Sequence, residues 1–411
     1  MKLPFFNKKK KPISDSPTQF LTVDIGSDFV KAVLFEVVTD LSNKNSLKII
    51  GFGKHYLDLR DVQAGVISNQ DGVEEALISA INEALLNVTH EVRDVVFGVS
   101  GEMSIGFSTT VRVTREKQEE EINEKEVIKI KKRIEEVAFV QAQKEYARLK
   151  GLGSIDLELI NSEITNFKVD GFYVTEPLGF KGKIVEVTLF TAFAPLNHLN
   201  LIQTLASRIG LNLLTVSSNM YALVKNLTSA EPTEFDGIIV DMGGDSTDAS
   251  VAFSGGILAT RTISVGGRAF TRKIASNLDL SFSDSEGKKV AYSEGKLDEV
   301  ELSKVGSIID ETAESWLGAL EVTLLDIDGV KTFPSRLYLT GGASYMVGLD
   351  ELLEEEEWRK RLPIKQHLKV KRIGLEDFLL INNPQDFIKH KEIVVPSSLG
   401  VIGLLALDLY E

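Results

Sequence analysis

Two stretches, FLTVDIGSDFVKAVLFEV (20–37) and GIIVDMGGDSTDASVAFSGGILATRTISV (237–265), are built on one plan. Each is a short apolar run reaching an Asp, a glycine-containing turn, and a second apolar run. Short runs rich in β-branched and aromatic residues, bounded by glycine turns, read as paired strands. Asp24 and Asp241 hold matching positions, so the chain reads as an internal duplication of a mixed α/β unit. A third segment, RLYLTGGASYMVGLDELL (336–353), reads as strand, Gly-Gly turn and helix.

Outward from these segments, residues 1–19 (MKLPFFNKKKKPISDSPTQ) are polar, carry three prolines and read as a flexible tail. Helical spacing of Val73, Leu77, Ile81, Ala84 and Leu85 predicts a helix over 71–86. VVFGVS (95–100) and 105–113 read as strands. Residues 115–150 are charge-dense, with an apolar stripe of Ile122, Val127, Ile130, Ile134 and Val137. Their charges read first as a solvated helix face. Short strands over 155–193, a helix over 197–209 and a linker over 227–234 follow.

The length, 411 residues, allows about three units of ~150 residues. Forty-six basic and sixty acidic residues leave a net charge of −14. That excludes a general nucleic-acid binder, which needs a basic face to displace counterions. With no cysteine, thiolate metal sites and cysteine nucleophiles are also excluded. The five histidines form no HExxH spacing, and no apolar run reaches the ~18–20 residues of a bilayer span. The composition reads as a cytosolic protein.

Two such hairpins facing each other would surround an anion. Gly26 and Ser27 in the first turn offer N–H groups and a hydroxyl, as do Gly243, Gly244, Ser246 and Thr247 in the second. Glycine lets the main chain approach a phosphate closely. Neither turn opens into a helix and there is no GxxxxGK[ST], so this is no P-loop. Asp24 and Asp241 would stand near the phosphates. Carboxylates are unfavourable there unless a divalent cation lies between, directly or through water. Gly341 and Gly342 would let a helix start close to a flat ligand such as adenine. Singly, each feature has a plain structural reading; their order and spacing together are specific.

The three segments resemble the two phosphate motifs and the adenosine motif of the actin-like ATPase superfamily. Within it the chain is similar to the cell-division family FtsA, over nearly everything from Phe20 to Leu407. GVISNQDGVEEALISAINEA (65–84), VVFGVSG (95–101) and ISVGGRAFTRKIA (263–275) each resemble family segments. ITNFKVDGFYVTEPLGFKGKIVEV (164–187) resembles the family's VDG and P-G signature, the most family-specific piece.

The resemblance implies an α/β, actin-like two-lobed fold of duplicated ribonuclease-H-like units, with an inserted FtsA/PilM-type α+β subdomain. The implied boundaries are a basic tail (1–19), a first lobe (20–104 and 191–235) and the insert (105–190). A second lobe (236–275 and 311–395), a reduced second-lobe subdomain (276–310) and a closing helix (396–411) complete it. The same resemblance implies ATP with Mg²⁺ in the cleft. Asp24, Gly26 and Ser27 would face it from one side; Asp241, Gly243, Gly244, Asp245, Ser246 and Thr247 from the other. Asp24 and Asp241 would hold the Mg²⁺ through water. Glu286 and Lys289 would lie over the nucleoside, and Gly341, Gly342 and Ala343 beside the adenine.

The function so implied is a nucleotide-gated adaptor at the inner face of the cytoplasmic membrane. It would polymerise, bind the C-terminal tail of the tubulin-like protein FtsZ, and meet other membrane division proteins. The alternative is a PilM-like type IV pilus assembly protein that binds a cytoplasmic peptide of an inner-membrane partner. A sugar or acid kinase on the same fold would need a general base, and no candidate has a distinctive context.

Four departures from the family pattern matter. Asp245 stands where the second turn usually has a third glycine; it would repel a γ-phosphate or add an outer ligand to the cation. In TVSSNMYALVKNL (215–227) the usual Glu-Pro is missing, leaving Ser217, Ser218 and Asn219. Phosphoryl transfer depends on positioning, so ATP binding with turnover slower than ~1 per minute is expected. Third, about 35 residues separate Ser276 from Asp310, a small region in which to hold an FtsZ pocket. Finally, GVIGLLALDLYE (400–411) has two acids and no basic residue, unlike the family's membrane helix. Phe5 and Phe6 with Lys8, Lys9, Lys10 and Lys11 could replace it, each lysine contributing ~1 kcal/mol near anionic lipid. Co-sedimentation with anionic liposomes tests this: the full chain should pellet more than one lacking residues 1–19, and equal pelleting would contradict the anchor.

Overall fold

The computed structural model describes residues 18–150, 155–229 and 234–410. Phe5, Phe6 and Lys8 to Lys11 lie outside the described residues, as does part of the 227–234 linker.

Strands β1 (Gln19–Ile25), β2 (Phe29–Thr39) and β3 (Asn45–Tyr56) form an antiparallel meander. A small hairpin, β4 (Val62–Gln63) with β5 (Val66–Ile67), helix α1 (Gln70–Ala84) and strand β6 (Asp94–Val99) follow. Then come β7 (Ile105–Thr114), α2 (Glu124–Lys150), β8 (Leu157–Val169), β9 (Phe172–Tyr173) and β10 (Ile184–Pro195). Helix α3 (Leu196–Arg208), strand β11 (Asn212–Ser218) and helix α4 (Asn219–Thr228) end the first half. The second half opens with β12 (Gly237–Met242), β13 (Thr247–Phe253) and β14 (Gly256–Ile263). It continues with α5 (Gly267–Leu278), α6 (Phe282–Ser293), α7 (Glu299–Leu325) and β15 (Arg336–Thr340). Helices α8 (Leu349–Glu354) and α9 (Glu356–Arg361), strand β16 (Lys369–Arg372) and helices α10 (Val394–Ser398) and α11 (Gly400–Ala406) finish the chain.

The repeat seen in the sequence is a repeat of topology. One sheet has the order β3-β2-β1-β6-β11, and β14-β13-β12-β15-β16 repeats it strand for strand. In each, a meander is followed by two strands parallel to its first. Beyond β14 the second sheet continues through β7, β10, β8 and β9, so the inserted strands extend the second half's sheet. A buried hydrogen bond from Gly106 N to Thr260 Oγ1 (2.9 Å) marks that junction. The C-terminal α10 returns to the first sheet, where Thr22 Oγ1 donates to the Pro396 carbonyl at 2.8 Å.

Helix α1 lies almost directly on β3 because β3 has no side chain at Gly51 or Gly53. A Cβ at Gly53 would stand 2.1 Å from the Ala80 carbonyl oxygen, and one at Gly51 1.9 Å from that of Ala84. Apolar residues Val73, Leu77, Ala80 and Ile81 are thereby buried against the sheet.

Local details differ from the sequence reading. Helix α2 starts at Glu124, because residues 115–123 are held as a loop by the buried Arg115 guanidinium. That group donates to Glu126 Oε1 (2.7 Å), the Gly182 carbonyl and the Glu120 carbonyl. Val137 is exposed; Ala138, Ala142 and Tyr146 carry on the buried face of Ile130 and Ile134, as a 3.6-residue period requires. Gly341–Gly342 opens a 3₁₀ turn (Gly342–Tyr345), and the α-helix begins only at Leu349. Helix α4 reaches Thr228, into the expected linker. Residues 276–310 hold α6 and the first turns of α7 and no strand. Among the described residues, no helix is long and apolar enough to cross a membrane.

Gly53→Val should destabilise the fold by roughly 3 kcal/mol, the scale of overpacking against backbone. A lowered denaturant midpoint checks this; an unchanged midpoint would contradict the close α1–β3 contact.

Candidate functional site

The ends of β1 and β12 meet at a cleft of about 390 Å³. Both turns are tight: Gly26 N donates to the Phe29 carbonyl (3.0 Å) and Gly243 N to the Ser246 carbonyl (2.9 Å). The second turn is docked on α5, whose Gly267 and Arg268 N–H groups donate to the Gly243 and Gly244 carbonyls (2.9 and 2.7 Å).

Asp24, Gly26 and Ser27 line the cleft from the first turn; Asp241, Gly243, Gly244 and Ser246 line it from the second. Glu286 and Lys289 on α6 and Gly341, Gly342 and Ala343 after β15 also face it. Asp245 and Thr247, expected at the phosphates, are placed elsewhere. Thr247 is fully buried behind the turn, donating to the Val265 carbonyl (2.7 Å) and accepting from Trp316 Nε1 (2.9 Å). Asp245 pairs with Arg268 (3.0 Å) and Arg272 (3.4 Å).

The register brings in two residues that the sequence reading passed over. Asp24 stands opposite Lys31 across β1–β2, and Asp241 stands opposite Asp248 across β12–β13. Lys31 Nζ is 2.9 Å from Asp24 Oδ2, and Asn219 Nδ2 donates to Asp24 Oδ1 at 2.9 Å. Burial alone would lower the Lys31 pKa, but the Asp24 charge and hydrogen bond, with Asp241 and Glu392 beyond, raise it instead. Burial, then the charges of Asp248 and Asp24, push Asp241 up to about 7 against the pull of Lys31. Burial likewise raises Asp248, although Thr262 and Gly101 N (2.8 Å) donate to it. Three carboxylates thus share one ammonium. A seven-residue step from each repeated Asp was the available signal, since it spans a tight hairpin.

Mg²⁺ fits this set as an ion held through water. The anionic surplus suits a divalent cation, yet the described residues contain no group of three ligands able to grip one directly. At the other end of the cleft, Lys289 Nζ pairs with Glu286 (2.8 Å) and donates to Thr271 Oγ1 (2.9 Å). The Lys391 ammonium lies 4.2 Å from the centroid of the Tyr345 ring, another lining residue absent from the sequence reading. Ser217, Ser218 and Asn219 are buried and outside the cleft wall; Asn161 holds both serines.

The family model for cell division protein FtsA matches residues 238–394, the stretch carrying the second turn and the Gly341–Gly342 segment. Curated relatives extend the likeness over most of the chain. FtsA of Neisseria meningitidis serogroup B is 23 % identical, covering 81 % of this chain and 80 % of its own. The chain is FtsA-like. FtsA of Bacillus subtilis is 24 % identical over 82 % of this chain and 76 % of its own. Among solved structures, the PilM-PilN type IV pilus biogenesis complex matches with a TM-score of 0.63 and 17 % identity. That match covers 96 % of this chain and all of the other, and shows the fold to be actin-like. An FtsA-like sequence and an actin-like fold therefore coincide at the cleft between the duplicated units.

The raised Asp241 pKa has a sign. Between the ordinary carboxyl range and about 7 the folded chain keeps a proton that the unfolded chain has lost, so stability falls as pH rises through that window. In chelator-treated, nucleotide-free protein, Asp241→Asn should raise Tm at pH 8 and leave it unchanged at pH 4. Equal Tm at pH 8 would contradict the crowding of carboxylates.

Proposed function

We propose that this chain is an FtsA-like, ATP-binding adaptor of bacterial cell division that polymerises at the inner face of the cytoplasmic membrane. The observation that carries the nucleotide reading is the pair of matched turns facing one cleft, with Lys31 set among Asp24, Asp241 and Asp248. In this reading the N–H groups of Ser27 and Gly244 bind phosphate oxygens, Gly26 and Gly243 let the main chain come close, and Lys31 supplies a fixed positive charge. Mg²⁺, when bound, neutralises phosphate charge. Glu286 and Lys289 border the nucleoside, and Gly341 to Ala343 with Tyr345 border the base. Slow turnover follows because no side chain of 217–219 reaches the cleft to orient a water.

The partners proposed with this reading are the FtsZ tail, a second copy of the chain and other membrane division proteins, as for FtsA. The PilM-like alternative has one observation in its favour. A groove of about 610 Å³ runs between the inserted subdomain and α3, lined by Val66, Ile67, Met103, Tyr146, Leu196 and Leu201. Burial depresses the pKa of its His198 to about 4, so that imidazole is neutral near neutral pH.

Ultracentrifugation with ATP and Mg²⁺, with and without an FtsZ C-terminal tail peptide, separates the readings. The division reading expects ATP-dependent pelleting and capture of the tail. Capture of a pilus-protein peptide without pelleting would overturn it in favour of the alternative.

A further inference from the structure

Arg268 lies in the first turn of α5, with its side chain 3 % exposed and outside the cleft wall. Nε donates to Asp28 Oδ1 (2.6 Å), and Nη2 donates to the Ser27 carbonyl (2.6 Å). Nη1 donates to Asp245 Oδ2 (3.0 Å). The first two acceptors sit in the β1–β2 turn and the third in the β12–β13 turn. One guanidinium is therefore fastened to both halves of the duplication, from behind the cleft. The turns also touch: a Cβ at Gly244 would stand 2.3 Å from Asp28 Oδ2. The planar fork of arginine suits three divergent acceptors; a lysine ammonium would not reach them in one geometry.

We propose that Arg268 is a positioning residue that joins the two turns at a fixed separation, and that Asp245 is its counter-charge and no ligand of the nucleotide. For its consequence, the inference rests on the nucleotide reading. Turns held together before binding need no rearrangement to receive phosphates, so less binding energy goes into ordering them. The replacement of a glycine by Asp245 then has a physical reason. Beside phosphates a free carboxylate would repel; bonded to Arg268 and Arg272 it carries no net repulsion.

The test combines hydrogen exchange of the nucleotide-free chain with ATP·Mg²⁺ titration. Arg268→Met should speed exchange at the amides of 25–29 and 243–247 together, with β13 amides 250–252 unchanged. Asp28→Asn, at a carboxylate 42 % exposed, should loosen the same two turns while leaving the Arg268–Asp245 pair intact. In both variants the ATP dissociation constant should rise about tenfold, the scale of one charge-assisted contact. A triple variant, Asp28→Asn/Asp245→Asn/Arg268→Met, should stay as weak as Arg268→Met. Recovery of wild-type affinity in the triple variant would overturn the proposal, because Arg268 would then only neutralise charge. Unchanged exchange in Arg268→Met, or a uniform rise that includes β13, would also overturn it. If wild-type protein binds no ATP while the variants loosen both turns, the junction stands and the nucleotide reading fails.

Discussion

Asp24 and Asp241 end equivalent strands of two equivalent sheets, and the fold brings them to one cleft with Asp248 beside them. Among the described residues, Lys31 is the ammonium set against them, 2.9 Å from Asp24. Such a surplus of buried negative charge is costly. It persists because the hairpins that carry it are fixed on both sides: β1 and β12 each lie between an antiparallel and a parallel neighbour. The site is therefore kept electrostatically unsatisfied, and a magnesium-bound polyphosphate is the ligand chemistry that such an arrangement suits.

Order around the site grows from this pair of hairpins. Helix α5 caps the second turn through its first N–H groups, which donate to the Gly243 and Gly244 carbonyls and hold the turn in place. Helix α6 contributes Glu286 and Lys289 on one face, as an i, i+3 spacing allows. The inserted strands join the second sheet at β14, and Gly101, at the entrance to the insert, donates directly to Asp248. The insert is thus physically continuous with the site.

Much of this was legible in the sequence. The strand–Asp–Gly-turn–strand plan gave away the duplication because hairpin periodicity and glycine turns are local signals. Twelve of the fourteen residues expected at a nucleotide line the cleft; nine of them were read from those local signals, and Glu286, Lys289 and Ala343 from the family resemblance. Thr247 was misplaced because strand alternation turns its side chain into the core beneath Trp316. Asp245 was misplaced because its partner Arg268 is twenty-three residues away, and no local pattern announces that pairing. Lys31 and Asp248 need the register across a hairpin, and the 115–123 loop depends on one buried arginine, a long-range contact that periodicity cannot show.

The central claim is that the cleft is a site for magnesium nucleotide whose charge balance depends on Lys31. Calorimetric titration of ATP into the purified chain, with Mg²⁺ and then with a chelator, tests it most directly. The account predicts saturable one-to-one binding with Mg²⁺, a large loss of affinity with chelator, and a comparable loss in Lys31→Met. Absence of saturable binding, or identical affinity in Lys31→Met, would contradict it.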